Sequence, residues 1–153
     1  CPHPDPDARG AWIGLTVRHR RAHMIRAVIE GITFGMRDQV ELMRARGVQV
    51  TEVRAAGGGA ASEFWRQLQA DMYNAKVVTV NTREAGAFGV ALLAAVGTGE
   101  YASVPEACSA AISITSTIRP KARAAKVYSD LYPTYRNAYS CLKPLNTALA
   151  AQS

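Results

Sequence analysis

Apolar side chains recur at close to helical spacing through Met24, Val28, Ile32, Met36 and Met43. That period predicts one long helix after a strand-to-helix turn, the whole lying within residues 16–46. Ala27, Gly31 and Gly35 form a small-residue ridge along it, which lets another backbone approach and offsets the helix propensity the glycines cost. Arg44 and Arg46 put cations where a helix C-terminus favours them, and Gly47 is the stop signal. Ahead of the helix, the apolar run Ala11-Trp12-Ile13-Gly14-Leu15 suits the end of a strand.

The rest of the chain alternates. Val48, Val50 and Val53 bracket a strand that runs into Gly57-Gly58-Gly59, and a helix follows with Phe64, Trp65, Leu68 and Met72 on one face. Ser62 is its candidate N-cap. Val77, Val78 and Val80 mark a second β-branched strand, followed by a small-residue helix over residues 84–96 with Phe88, Leu92 and Val96 inward. Ser103-Val104-Pro105-Glu106 matches a capping box with proline in the first turn, so a short helix should run to about Ile112. Residues 115–120 read as loop. Tyr128, Leu131, Tyr135, Tyr139 and Leu142 lie at helical spacing in the tail, as a packing stripe, with Pro133 expected to kink or divide that helix and Pro144 to disturb its end. Strands alternating with helices argue for a short, mainly parallel sheet and an α/β layer fold.

Composition changes this picture little. The 153 residues suffice for a real core, and 48% apolar with 20% charged is ordinary globular composition. The net charge of +6 owes much to Arg18-His19-Arg20-Arg21 and Arg26. No interleaved aromatic and basic pattern accompanies that run, so the reading is a solvated helix face and no nucleic-acid partner. Cys1, Cys108 and Cys141 are odd in number and lack CxxC spacing; they read as free thiols in a reducing, cytoplasmic setting. No apolar run is long enough to span a bilayer, and no membrane partner is expected. The opening Cys1–Asp7, Pro-rich and without an initiator methionine, resembles mid-chain connector, so a fragment is expected.

The glycine run between a strand and a helix is the strongest candidate for chemistry. Glycine permits positive φ and close approach of a ligand, and the following helix start offers unpaired N–H groups to phosphate or polar base atoms. A tight turn is the bland alternative. Neither GxxxxGK[ST] nor GxGxxG occurs. His19 and His23 could share a metal, but the only other histidine is His3, and a solvated or hydrogen-bonded pair is the better reading. Glu30, mid-helix, and Glu84, at a helix start, are the carboxylates that stand out.

Gly10, Trp12, Gly14 and Leu15, then His23, Met24, Ala27, Val28, Ile29 and Glu30, match throughout the signature of the FGGY carbohydrate kinases. Gly57 to Ser62 with Trp65-Arg66-Gln67 and Ala70-Asp71 resembles that family's adenosine-binding loop and helix. Glu84-Ala85-Gly86-Ala87 and Leu142-Lys143-Pro144 resemble further family blocks, and the stretch before Gly10 is similar to xylulokinase-like members; Pro133 departs from the common tail. The resemblance implies a ribonuclease H-like (actin-like ATPase) α/β fold, with ATP held between two such domains. Residues 1–153 would form the nucleotide-binding C-terminal domain, truncated at its N-terminal side, with 121–150 as its helical tail. ATP would give its γ-phosphate to a sugar or polyol hydroxyl, with magnesium bridging the phosphates. Gly57 opens the loop, Gly58 and Gly59 would lie against the α-phosphate and adenosine, and Ser62 would face the adenine edge. The general base and most sugar contacts belong to the family's N-terminal domain, a required partner, so no residue of this chain is assigned as the base and the chain alone is expected to be inactive. A homo-oligomer is compatible with the sequence, and a non-catalytic interaction module is the alternative.

Overall fold

A computed structural model of the chain describes residues 4–152. Cys1 and His3 therefore lie outside the described residues. The chain forms two compact units, one from residues up to Gln49 together with those from Lys121 onward, the other from Val50–Pro120.

The first unit is built on helices α1 (Arg21–Ala45) and α5 (Ala122–Ala150). The histidines open α1: His23 Nδ1 accepts the Arg20 N–H at 3.0 Å, and His19 Nδ1 accepts the Thr16 N–H at 2.9 Å. The His23 bond satisfies a backbone donor that a helix start otherwise leaves unpaired, and the His19 bond fixes the turn leading into it. At the other end Gly47 takes φ +85°, and the Val48 N–H returns to the Met43 carbonyl at 3.1 Å, a glycine-dependent stop.

Phe34, Arg37 and Val40 are buried on α1, and the partner of this face is α5. Phe34 stacks on Tyr135 with ring centroids 4.8 Å apart. The Arg37 guanidinium lies 4.2 Å from the centre of the Tyr132 ring and donates to the Tyr128 carbonyl at 3.2 Å and to Glu41 at 3.1 Å. The tail tyrosines are more than a packing stripe. Tyr128 donates to Glu30 at 2.7 Å, Tyr132 to Asp38 at 2.5 Å, Tyr135 to the Gly31 carbonyl at 3.3 Å, and Tyr139 to Asp5 at 2.6 Å.

Three expectations are corrected here. Val28, Ile32 and Met36 are 47%, 50% and 42% exposed, so the periodic apolar stripe is not the face that meets α5. Ala11–Leu15 is not a strand, and its large side chains are exposed. α5 continues as one helix through Pro133 and Pro144. Proline removes one backbone hydrogen bond and crowds the preceding turn, but tyrosines on both sides of Pro133 are tied to other segments, and that tertiary anchoring outweighs the local preference.

The second unit carries a three-stranded sheet in the order β1 (Glu52–Ala55), β2 (Lys76–Val80), β3 (Ile114–Ile118). β1 and β2 are parallel with Val53 opposite Val77; α2 (Glu63–Tyr73) makes the crossover between them. Glu52 faces Lys76 in that register and contacts it at 2.8 Å. Lys76 first, and Arg54 after it, hold the Glu52 carboxyl below its usual range. β2 then leads to α3 (Ala85–Gly97) and α4 (Val104–Ala111), and β3 returns antiparallel with Val77 opposite Ile118.

The core of this unit holds Leu68, Met72, Tyr73, Val77 and Val78, all essentially buried. Burial pushes the Tyr73 phenol up to about 12. Ser62 caps α2 by accepting the Trp65 N–H at 3.3 Å, and Asn74 ends it in the left-handed region at φ +47°. Ser103 likewise accepts the Glu106 N–H at 3.4 Å, while Glu106 reaches back to the Ala102 N–H at 2.9 Å, one residue beyond the position a capping box uses. β3 corrects the expected loop at 115–120. Its mostly exposed polar pattern hides it from a search for buried alternation, although Ile114-Thr115-Ser116-Thr117-Ile118 is rich in β-branched residues. The sheet is consequently mixed, with β1 and β3 at its edges.

Candidate functional site

Because β1 and β2 run parallel, their carboxyl ends lie on the same side of the sheet, and each feeds a loop there. Residues 56–62 follow β1 and residues 81–84 follow β2. Crevices at the carboxyl ends of such strands are where open α/β sheets hold ligands. A cavity of about 410 Å³ lies between these loops and the neighbouring part of β3. That volume is within the usual range for small-molecule sites.

The glycine run is divided in its geometry. Gly57 takes φ +78°, which turns the chain out of β1 into a 3₁₀ turn over Gly58–Ala61. Gly57 and Gly58 line the cavity, and a Cβ on Gly58 would meet no protein atom within 4 Å. Gly59 differs: a Cβ there would stand 2.6 Å from the Trp65 ring. Its close approach is to an indole of its own unit. Ser62 spends its acceptor on the α2 cap and does not line the cavity, although its O–H remains a donor.

Most of the polar wall comes from residues that sequence reasoning did not single out; Glu84, and Arg66 within its motif, are the exceptions. Arg66 on α2 donates through Nη1 to Ser116 Oγ on β3 at 3.0 Å. Thr79 and Thr115 face each other across β2 and β3 with hydroxyls 3.0 Å apart. Arg83 and Glu84 close the side next to α3. Asn81 sets this rim by donating to the Ala111 carbonyl at 2.9 Å and accepting the Ser113 N–H at 3.0 Å. Arg66 was visible inside Trp65-Arg66-Gln67; only the pairing of β3 shows that it reaches the cavity.

The other sequence candidates resolve differently. Glu84 lines the cavity, whereas Glu30 belongs to the first unit and is committed there. Arg26 Nε contacts Glu30 at 2.8 Å, and Arg26 also donates to the Tyr128 hydroxyl at 2.9 Å. The hydrogen bond to Glu30 is the main reason the Arg26 guanidinium holds its proton more tightly than usual. His19 and His23 use their Nδ1 atoms on backbone N–H groups, and among the described residues no three His, Cys, Asp or Glu side chains gather as a metal-ligand set. Among the described residues no helix is long and apolar enough to cross a membrane.

Residues 1–98 match the FGGY family of carbohydrate kinases, C-terminal domain. The chain belongs to this family. Xylulose kinase of Bacillus subtilis (strain 168) is 40% identical over 148 residues, which cover 97% of this chain and 30% of that protein. The crystal structure of ligand-bound xylulose kinase from Lactobacillus acidophilus superposes with a TM-score of 0.84 at 30% identity, covering 91% of this chain and 28% of that one. Gluconate kinase from Lactobacillus acidophilus gives a TM-score of 0.83 at 30% identity, covering 90% of this chain and 28% of that one. The chain thus spans under a third of the length of these FGGY kinases, and its fold is the actin-like ATPase fold they share.

Proposed function

We propose that this chain is the nucleotide-binding part of an ATP-dependent carbohydrate kinase, and that it supplies the adenosine side of the cleft. The complete enzyme transfers the γ-phosphate to a hydroxyl of a sugar or polyol. Its xylulose kinase relatives make xylulose the first acceptor to assay, and its setting is the cytoplasm. One observation carries the reading: Gly57 and Gly58 form an open backbone cradle at the carboxyl ends of two parallel strands, facing a guanidinium and hydroxyls across the cavity. Two features fit a nucleotide there. Gly58 leaves free space where a side chain would project, and the enclosed Arg66 Nε has no hydrogen-bond partner among the described residues.

In this reading Gly57 and Gly58 present backbone to the nucleotide, and Gly59 keeps the loop seated against Trp65. Ser62 holds the start of α2, and its O–H would meet an adenine edge only where the base extends beyond the cavity lining. Magnesium bound with ATP in the complete enzyme would supply positive charge to the phosphates. Phosphoryl transfer depends chiefly on positioning and electrostatics, so the N-terminal domain, with the general base and the sugar contacts, is the partner this chain needs.

The test is steady-state kinetics on the longer protein that carries this chain, with xylulose and gluconate as acceptors. Gly58→Val is expected to raise the KM for ATP with little change in the KM for sugar. The 153-residue chain alone should give no sugar-dependent turnover. A folded Gly58→Val enzyme with unchanged ATP kinetics would show that the cradle is only a turn.

A further inference from the structure

We propose that Arg66 receives the phosphate end of the nucleotide in this cavity. The inference rests on the nucleotide reading above and adds the residue that holds the anionic part of the ligand. Arg66 stands on α2, and its Nη1 is fixed by the Ser116 hydroxyl on β3 at 3.0 Å. That hydroxyl is its one hydrogen-bond partner among the described residues, and no carboxylate there lies within ion-pair distance of it. Its Nε is enclosed and has no hydrogen-bond partner among the described residues.

A partly buried guanidinium normally meets a carboxylate or several acceptors, because withdrawing its charge from water without them is costly. An orphaned buried donor in a native fold calls for a partner. Here Arg66 lines a cavity whose floor, at Gly58, is open backbone. The planar fork of donors matches phosphate oxygens geometrically, and a guanidinium already held on one side loses little freedom on engaging them. On the opposite rim Glu84 repels an anion beside Arg83, whereas the Arg66 guanidinium has no carboxylate next to it among the cavity-lining residues and is already held by Ser116.

The experiment is a set of calorimetric titrations of the longer protein that carries this chain, with millimolar ATP, adenosine and inorganic triphosphate. The wild type is compared with Arg66→Gln, Arg66→Lys and Ser116→Ala. Arg66→Gln is expected to weaken ATP roughly tenfold to a hundredfold, the scale of hydrogen bonds to a charged group, and to leave adenosine unchanged. Arg66→Lys should recover part of the loss, since charge remains without the fork. Ser116→Ala should show a smaller loss in the same direction. The ratio of ATP to adenosine affinity separates a phosphate contact from mere damage to the fold. Equal losses for both ligands, or an unchanged ratio, would overturn the role of Arg66. Triphosphate binding as tightly as ATP, and lost equally in Arg66→Gln, would uphold the phosphate contact and remove the adenosine reading. No binding of ATP or adenosine by the wild type would remove both.

Discussion

Gly58 and Gly59 are neighbours of the same residue type, yet the structure gives them unrelated constraints. A side chain at Gly58 projects into open space, whereas one at Gly59 collides with the Trp65 ring at 2.6 Å. Gly59→Ala should therefore destabilise the fold by about 1–3 kcal/mol, the scale of overpacking. Gly58→Ala should leave stability unchanged, and Ser62→Ala should cost about 1 kcal/mol through the lost cap. Urea unfolding of the three variants checks this, and equal stability of both glycine variants would refute the distinction. The sequence made the glycine run and the Ser62 cap legible because both are local signals. It could not show that Trp65 folds back over Gly59, or that Ser116 draws Arg66 to the cavity, because each partner is set by tertiary structure.

Between α1 and α5 the tyrosine hydroxyls form a ladder whose phenols must stay neutral to donate. Burial is the first cause of the upward shift at Tyr128, Tyr132 and Tyr135, and the carboxylate of Asp38 adds to it at Tyr132. An unfolded tyrosine ionises near pH ~10. Folded values lie higher, so the folded state binds more protons above that pH. Their contribution to stability is complete below about pH 10 and is lost as pH rises through the higher folded values. Denaturant midpoints should accordingly fall on the alkaline side, and Tyr128→Phe should reduce the steepness of that fall. A midpoint flat across the alkaline range would contradict the ladder.

The same helix yields a second expectation. Pro133 sits inside a continuous α5, so Pro133→Ala should raise stability by roughly 1–3 kcal/mol, less than the full propensity difference because proline also restrains the unfolded chain. A lower urea midpoint for the variant would mean that the ring packs usefully. Elements with strong period or caps, α1, α2 and α4, were legible from sequence. β3 and the unbroken α5 were not, because cross-strand pairing and tyrosine anchoring outweighed the local signals.

For the molecule as a whole, the family signature at Gly10–Glu30 and the glycine run made family and fold legible together, as the match over residues 1–98 bears out. The division into two units was not legible, since no shift in composition marks Gln49 or Lys121. That division has a consequence for synthesis on the ribosome. Val50–Pro120 is one contiguous stretch and can complete its sheet as soon as it has emerged. α1 emerges earlier but must wait, with Phe34 and Arg37 uncovered, until the last helix has been made, because the tyrosines that cover them lie some 90 to 100 residues downstream. During translation the exposed flank of α1 is therefore the part of this chain most in need of a chaperone, and the second unit folds inside a loop that α5 closes.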